Sequence, residues 1–444
     1  MKRVLYLFLF ILFPMLSFSK PITLDDCLNK AMKNNPDIMK TQKELDAISS
    51  KIYQAKTYFL PTLSLTGLYT HLSKEPPAFD FKSFFTPGAT IPQIAGNPLL
   101  QYAHQNNYSG GLKLNQPLYL GGRNMAVLNS YKSEYKIKSA ELEMSKTKLK
   151  VDVTKVFYSI VLSKEMEKLI QVTITTLQKH LDLVREFVKN GTATEYDSLK
   201  TESQLFSWQP RLIKTQREMK TATKQLAFLI GEEIEDSLVI EGELKYHNSE
   251  SEISLKDATD KALENRSEIV IAQEMKKINN DIRNMKRASV LPQVAFQYNY
   301  NLMDKDADFT FNADNWENWW DIRILFNWEF FAFGRHRAEM KEYDFKKQES
   351  DINISSIEKR IKIELENAFD YKNENQITLS LWEKNIDVAN RAYDIANDNY
   401  KNGTMTNMDV LDSHIALAEA KFQYLKALYD YKISCAELNR IIGY

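Results

Sequence analysis

The sequence predicts a mixed α and β chain in which very long helices alternate with four strands. Three observations predict this class: a scarcity of glycine, an internal repeat of the whole chain, and four short segments of alternating apolar and polar residues. Only 13 of the 444 residues are glycine, less than half the usual share of roughly 7%. So few glycines indicate long uninterrupted helices rather than a loop-rich chain.

Composition and charge exclude several classes of protein. The chain has 58 basic and 59 acidic residues, a net charge of −1, which argues against a general nucleic-acid binder. Two cysteines exclude a disulfide scaffold and a four-cysteine zinc site. A mean hydropathy of −0.43 argues against a polytopic helical membrane protein, while 43% apolar residues are too many for a wholly disordered chain.

The first residues have the pattern of an export signal. Lys2 and Arg3 precede an apolar run over 4–18, which ends in small residues. This run is shorter than the roughly 18–20 apolar residues that a membrane-spanning helix needs. We therefore expect a signal peptide over 1–19, cut after Ser19; the alternative is a membrane anchor.

The chain is a duplicated unit. Leu60-Pro61 recurs as Leu291-Pro292, 231 residues further on, and Lys189-Asn190-Gly191-Thr192 recurs as Lys401-Asn402-Gly403-Thr404, 212 residues further on. The smaller second offset indicates a longer insertion in the first copy. Two copies of this size predict a duplicated large motif rather than a solenoid.

Each copy has the same order of elements: an opening helix, two strands, a very long helix and a closing helix. Proline ends the opening helix because its ring disfavours the helical state of the preceding residue, and Asn-Gly ends the long helix. We expect the first copy over 20–230, an irregular segment over 231–252 and the second copy over 253–444. The expected strands lie at about 61–72, 109–120, 292–302 and 319–332, and the expected long and closing helices at 123–190, 193–230, 335–402 and 406–442.

Prolines predict where helices are interrupted. Asn35-Pro36 interrupts the opening helix of the first copy, which we expect over 24–58. The opening helix of the second copy is expected over 255–289. Pro210 predicts a kink or a broken turn in the closing helix of the first copy.

The long helices need partners along their length. About 65 residues span roughly 100 Å as a helix, several times the mean globular helix of about 11–12 residues. A stripe of apolar residues in the second copy is spaced alternately by three and four, the period of a coiled-coil seam. It comprises Leu379, Trp382, Ile386, Ala389, Tyr393, Ala396 and Tyr400.

Each strand-like segment has one apolar face. Trp320, Ile322 and Ile324, for example, alternate with Asp321 and Arg323. The segments have the length of tilted membrane strands, and aromatic residues cluster near their ends; the alternative is a half-buried sheet of a soluble protein. We place a membrane interface at Trp316, Trp319, Trp320, Phe330 and Phe331, and at Arg123 and Arg335, where strands give way to helices.

Four strands cannot close a barrel, and open strand edges are not tolerated in lipid. Barrels of this kind start at eight strands. We therefore expect several copies of the chain to pool their strands, and three copies would supply twelve.

No enzyme signature is present. The sequence contains no HExxH, CxxC, P-loop or GxGxxG motif, so we expect no catalytic residues, no cofactor and no metal site. The six histidines are scattered, and we expect them at the surface or at interfaces. Cys27 and Cys435 could form one disulfide, although nothing local supports it.

Several motifs, in order and repeated, carry a resemblance to a known family. They are Asn35-Pro36, Leu60-Pro61, the segment 116–123 (Gln-Pro-Leu-Tyr-Leu-Gly-Gly-Arg), the segment 400–404, and Asp409 to Asp412. With the duplicated order of elements, they resemble the TolC-type outer-membrane efflux and secretion proteins over essentially the whole chain beyond the signal.

The resemblance implies an assembly and a function. It implies a homotrimer with a twelve-stranded outer-membrane β-barrel, four strands per chain, continued by a long periplasmic α-helical barrel. Such a protein is the exit duct of a tripartite efflux pump or type I secretion system, and it docks to a periplasmic adaptor and an inner-membrane transporter. The alternative function is a periplasmic coiled-coil adaptor or scaffold, which has no reason to carry four such strands.

The resemblance also implies site residues at the helical tip. Tyr400, Asp409, Asp412 and Asp197 match the family's periplasmic gate, whereas Met405 stands where the family has an arginine. The same resemblance places adaptor docking at the turns that contain Gly191, Thr192, Gly403 and Thr404.

Without its arginine, a closed gate would depend on packing or on a nearby lysine, Lys200 or Lys401. The residues themselves leave two interpretations open, because Asp409 and Asp412 share a helix face but acids are also common in first helical turns.

Overall fold

The computed structural model describes residues 22–74, 105–233, 240–246, 253–304 and 316–443. The expected signal peptide lies outside these residues. Eight helices and four strands lie within them: α1 Leu24–Asn34, α2 Pro36–Thr57, β1 Thr62–His71, β2 Asn106–Leu120, α3 Arg123–Lys189, α4 Glu195–Ile230, α5 Leu255–Asn265, α6 Ser267–Ala288, β3 Gln293–Asp304, β4 Trp316–Asn327, α7 Arg335–Lys401 and α8 Asn407–Ile442.

The two halves of the chain contain elements of equal length. Helices α3 and α7 each have 67 residues, and α4 and α8 each have 36. The opening helices also match, since α1 and α5 each have 11 residues and α2 and α6 each have 22.

The second opening helix is interrupted, which the sequence did not predict. Arg266 separates α5 from α6 with extended backbone, φ −65° and ψ 125°, almost identical to Asn35 between α1 and α2. No proline follows Arg266. Its buried guanidinium instead forms ion pairs with Glu268 and Glu364. In the first copy proline specifies the break in the opening helix. In the second copy the matching break is accompanied by tertiary ion pairs.

Helix α4 is continuous through Pro210, so of the kink or broken turn expected there, the broken turn does not occur. Proline removes one backbone hydrogen bond and crowds the preceding turn. Trp208 and Leu212, on either side of it, both pack in a cluster with residues of α3 and α8. This packing holds the helix together across the proline.

The four strands form one antiparallel sheet in the order β1-β2-β3-β4. Its register aligns apolar side chains in rows across the sheet, such as Leu65, Leu112, Tyr300 and Trp320. The neighbouring row, on the opposite face, contains Ser64, Lys113, Asn299 and Asp321. The alternating pattern of the sequence is thus realised as one apolar and one polar face.

Strand β4 ends earlier than the sequence predicts, at Asn327 rather than near 332. Asn327 pairs with Gln293, the first residue of β3, and Pro292 precedes it. Among the residues that the structure describes, no strand of the sheet lies beside the chain beyond Asn327. Strand β2, in contrast, begins three residues early, at Asn106, because it follows β1 to His71.

The chain divides into two compact units. One contains the described residues of Met1–Glu44, Lys138–Ile271 and Ile354–Tyr444, and the other contains Leu45–Ile137 and Ala272–Asn353. The first unit is helical, and the second contains the sheet and the helical segments that flank it.

The predicted coiled-coil seam is confirmed within the helical unit. Leu379, Ala389, Ala396 and Tyr400 are buried. The other seam residues, Trp382, Ile386 and Tyr393, are partly buried against clusters that α7 forms with α8.

Cys27 and Cys435 are both buried thiols, so the disulfide that the sequence left open does not form in this structure.

Among the described helices, none combines the length and the apolar character that crossing a bilayer requires.

Candidate functional site

Two matching turns form the tip of the helical unit. One joins α3 to α4 and the other joins α7 to α8. Gly191 has φ +75° and Gly403 has φ +73°, values in the left-handed region that side chains with a Cβ rarely adopt. Both glycines are exposed, so each turn presents its backbone to solvent.

The threonine after each glycine closes the preceding helix. The Thr192 N–H donates to the carbonyl of Phe187 at 2.9 Å, and the Thr404 N–H donates to the carbonyl of Asn399 at 2.9 Å. Each threonine hydroxyl donates to the same carbonyl at 3.1 Å. All four residues predicted to dock an adaptor therefore lie in two exposed, equally built turns.

Asp197 and Asp409 have the same local role in the two copies. Thr194 caps α4 and Thr406 caps α8, and each aspartate accepts hydrogen bonds from the hydroxyl and the backbone N–H of its threonine. For Asp409 these bonds are 2.6 Å and 2.8 Å long. They hold the pKa of Asp409 below its ordinary value, because hydrogen bonds to the carboxylate favour the charged form.

Asp412 is exposed and lies three residues beyond Asp409 on α8, so the two carboxylates share one face. Within the described part of the chain, neither carboxylate forms a salt bridge. Lys401 pairs with Asp398 of its own helix at 3.5 Å. Met405, at the position of the family's arginine, is 37% exposed.

Tyr400 is buried behind the turns rather than hydrogen-bonded to an aspartate. Its ring lies 5.3 Å from that of His180 and 5.6 Å from that of Phe187, measured between centroids. Its hydroxyl has no hydrogen-bond partner among the described residues. Burial raises the pKa of Tyr400, and the negative charge of Asp197 adds to the effect. The structure thus brings Tyr400 of one copy near Asp197 of the other.

A buried polar network, which the sequence did not predict, joins three of the four helices at the tip. Asn407 is 4% exposed, and its side-chain oxygen lies 2.8 Å from Nε2 of His180. The Asn407 amide nitrogen donates to the backbone carbonyl of Asp197 and to the hydroxyl of Thr201, both at 3.1 Å. One asparagine on α8 therefore links α3 and α4.

A second buried histidine lies beside this network. The ring of His414 lies 5.1 Å from that of Tyr393, measured between centroids, and is tilted against it. Burial, helped by His180 and Lys421, lowers the pKa of His414 to about 4, and burial also lowers that of His180. The sequence predicted the histidines at the surface or at interfaces, and these two are buried where helices of the bundle meet. The available signal was spacing, since Tyr400, Asn407 and His414 are seven residues apart, the coiled-coil repeat.

The predicted membrane-interface residues are mostly exposed, and they lie in β4, just beyond it, or at the start of the long helices. Trp319, Trp320, Phe330 and Phe331 are exposed, whereas Trp316 is half-buried. Arg123 and Arg335 are the first residues of α3 and α7. Both are exposed, and Arg335 forms an ion pair with Glu329.

A family model for outer membrane efflux proteins matches residues 27–232 and 258–444. Outer membrane protein TolC of Vibrio cholerae is 18% identical over 429 residues, which cover 95% of this chain and 90% of TolC. The CmeC outer membrane channel of Campylobacter jejuni superposes with a TM-score of 0.79 at 16% identity, covering 95% of this chain and 85% of CmeC. The outer membrane protein VceC of Vibrio cholerae gives 0.76 at 17% identity, covering 95% and 96%.

Proposed function

This chain belongs to the outer membrane efflux protein family, and we propose that three copies of it form the exit duct of a tripartite efflux pump or a type I secretion system. It is an outer-membrane protein that takes part in efflux. Members of this family are channels rather than enzymes. We propose that the duct is passive, with no cofactor, no metal and no reaction of its own.

The observation that carries the proposal is the sheet. Leu65 is 81% exposed, Trp320 63% and Ile324 70%, so the apolar face is uncovered in the single chain. Within the described part of the chain, strands β1 and β4 each pair on one side only, and unpaired edges are excluded from lipid. Pooling the strands of three chains gives twelve, pairs every edge and turns the apolar face to lipid.

The helices supply the periplasmic part of the duct. A helix of 67 residues is roughly 100 Å long. The exposed turns at Gly191 and Gly403 are the proposed contact with the periplasmic adaptor, and through it with the inner-membrane transporter.

We propose that the gate residues act at the same tip. Threefold symmetry places the exposed Asp409 and Asp412 in two acidic rings, which favour cations in a narrow pore. Without a basic partner at Met405, the closed state rests on packing around Tyr400 and on the network of Asn407 rather than on an ion-pair latch.

Assembly tests the duct. In outer-membrane fractions the protein is expected to run as a heat-modifiable, SDS-resistant trimer. The variant Ile324→Asp places a carboxylate on the apolar face and is expected to deplete this trimer, while Asn327→Asp, on the opposite face of β4, is expected to retain it. A soluble periplasmic monomer would contradict the duct and favour the scaffold alternative.

Conductance in planar bilayers tests the gate. Asp409→Ala with Asp412→Ala is expected to raise single-channel conductance and weaken block by multivalent cations. Asp412→Ala alone leaves the capping box of α8 intact and separates the effect of charge from that of a damaged helix start. Unchanged conductance in both variants would rule out the proposed acidic rings.

A further inference from the structure

A basic cavity lies where the sheet gives way to the helices of the second copy. It has a volume of about 370 Å³ and is lined by Arg283 and Arg287 of α6 and by His336 and Arg337 of α7. All four belong to the same compact unit as the sheet. None of the proposed gate, docking or membrane-interface residues lines this cavity.

The positive charge of the cavity is only partly compensated. Arg283 pairs with Asp344 at 3.0 Å. Arg287 and Arg337 are exposed, and neither forms an ion pair or a side-chain hydrogen bond with any residue that the structure describes. Basic residues at a helix C-terminus, such as Arg287, are common, but Arg337 lies in the first turn of α7, where the helix dipole disfavours a cation.

His336 adds unsatisfied polar atoms to the same wall. Both ring nitrogens are buried and have no hydrogen-bond partner among the described residues. The nearest carboxylate oxygens, of Glu339 and Glu329, lie 3.7 Å and 4.0 Å away. A buried donor without a partner costs free energy, so a ligand oxygen in the cavity would relieve that cost.

The surroundings of the cavity are those of a membrane interface. Val290, Leu291 and Met340 complete its lining. The indole N–H of Trp328 donates to the carbonyl of Val290 at 3.0 Å. This bond ties the cavity to an exposed aromatic segment in which Phe333 is 92% exposed; Phe330 and Phe331 lie in the same segment. Exposed aromatics beside basic residues mark the headgroup level of a bilayer.

We propose that this cavity binds the phosphate of an anionic phospholipid, whose acyl chains lie along the exposed aromatic segment. Arginine matches phosphate through two parallel hydrogen bonds, and basic pockets at a membrane surface select anionic headgroups. The proposal rests on the outer-membrane position of the strands. It places the lipid in the leaflet on the side of the helices.

The first copy lacks this site, although the junction between its sheet and helices contains the matching hydrogen bond. The side chain of Gln116, which matches Trp328, donates to the carbonyl of Phe59, which matches Val290, at 2.9 Å. The positions of Arg287, His336 and Arg337, however, hold Lys56, Asn124 and Met125.

The side-chain amide of Asn124 already has a backbone partner, because it donates to the carbonyl of Tyr58 at 2.7 Å. We therefore expect one anionic lipid per chain rather than two.

Native mass spectrometry of the delipidated full-length assembly, titrated with phosphatidylglycerol, tests the site. The wild type is expected to bind one lipid per chain, and binding is expected to weaken about tenfold for each arginine removed in Arg287→Gln and Arg337→Gln. The control Lys56→Gln with Lys132→Gln removes two exposed lysines of the first copy and is expected to bind as the wild type does.

Two further arms identify the ligand. Phosphatidylcholine, which is neutral overall, is expected to bind more weakly, and inorganic phosphate at millimolar concentration is expected to leave the bound lipid in place. Equal binding of both lipids, equal binding by the double arginine variant, or displacement by phosphate would each overturn the proposal. Arg287→Lys with Arg337→Lys keeps the charge and replaces the glutamine variants if those do not assemble. The SDS-resistant trimer, scored on the same samples, reports separately on the duct.

Discussion

The two copies of the repeat build the same turn at the helical tip but fill the space behind it differently. In both copies a left-handed glycine ends the long helix and a threonine–aspartate capping box starts the next. Behind the turns, Asn407 is buried, whereas Glu195 at the matching position is exposed. The local turn is therefore duplicated with the sequence, whereas the asparagine at the centre of the buried polar network is found in the second copy alone.

The same contrast appears at the next helical turns. His414 is buried, but the matching residue of the first copy, Glu202, forms a half-exposed ion pair with Arg185 at 3.2 Å. Tyr400 is buried in a cluster against which Val188, the matching residue of the first copy, also packs. The two copies therefore differ at the position of His414, where the second copy has a buried side chain and the first copy a half-exposed charge.

The largest expected effect comes from His414. Its pKa of about 4 lies below the ordinary 6.5, so opening the tip lets it bind a proton between these values. The contribution of neutral His414 to the stability of the closed tip is fully present above about pH 6.5. It is lost as the pH drops toward 4, which lowers the free energy of opening by up to about 3 kcal/mol. Hydrogen exchange of peptides over 405–420, corrected for intrinsic rates, measures it.

The variant His414→Leu is expected to lose most of this pH dependence and keep only the smaller part due to His180. Glu202→Gln, the matched control in the first copy, is expected to behave as the wild type. An identical pH dependence in His414→Leu and the wild type would show that His414 is not the residue responsible.

The second effect comes from Asn407. The variant Asn407→Ala leaves His180, Thr201 and the carbonyl of Asp197 without this partner, at a cost of about 1–3 kcal/mol. Amides in the first turns of α4 and α8 are expected to exchange about 10- to 100-fold faster. Glu195→Ala, at the matching exposed position, is expected to change exchange little, and equal effects in both variants would refute the asymmetry of the two copies.

The features that could be predicted from sequence are those that neighbouring residues determine. Gly191 and Gly403 end helices wherever the chain must turn left-handed. The alternation of apolar and polar residues around Ile322 determines which face of the strand is apolar, whichever strand pairs with it. The seam from Leu379 to Tyr400 likewise follows from its spacing alone.

The features that sequence reasoning missed depend on distant partners. Arg266 breaks a helix while pairing with Glu364, almost a hundred residues away. Asn407 is an ordinary first helical residue until His180 lies beside it. Strand β4 stops at Asn327 because β3 offers no further partner. Tertiary contacts decide each of these, and no local pattern contains them.

The third prediction concerns the turns, where the two copies should respond alike. Alanine at Gly191 or Gly403 meets no neighbouring atom but must adopt a positive φ, which costs about 1–2 kcal/mol. Exchange at Thr192 and Thr404 is expected to accelerate to the same extent in the two variants. The control Gly67→Ala adds a Cβ in open space without a positive φ, and a strong effect in one turn only would contradict their equivalence.

The smallest expected effect distinguishes the capping role of Asp197 and Asp409 from the effect of negative charge alone. Asp409→Ala and Asp197→Ala each remove one half of a capping box, and each is expected to speed exchange in the first turn of its own helix only. Because its hydrogen bonds keep the pKa of Asp409 below 3.8, this contribution is complete at neutral pH. It disappears only as the pH falls through the folded-state pKa, a range below that of His414. Acid therefore weakens the tip in two steps, first through a histidine that only the second copy has.

The control is Asp412→Ala, which removes a carboxylate of the same helix that takes no part in the capping box. This variant is expected to leave both steps unchanged. Loss of either step would show that the acidic face, not the cap, stabilises the start of α8.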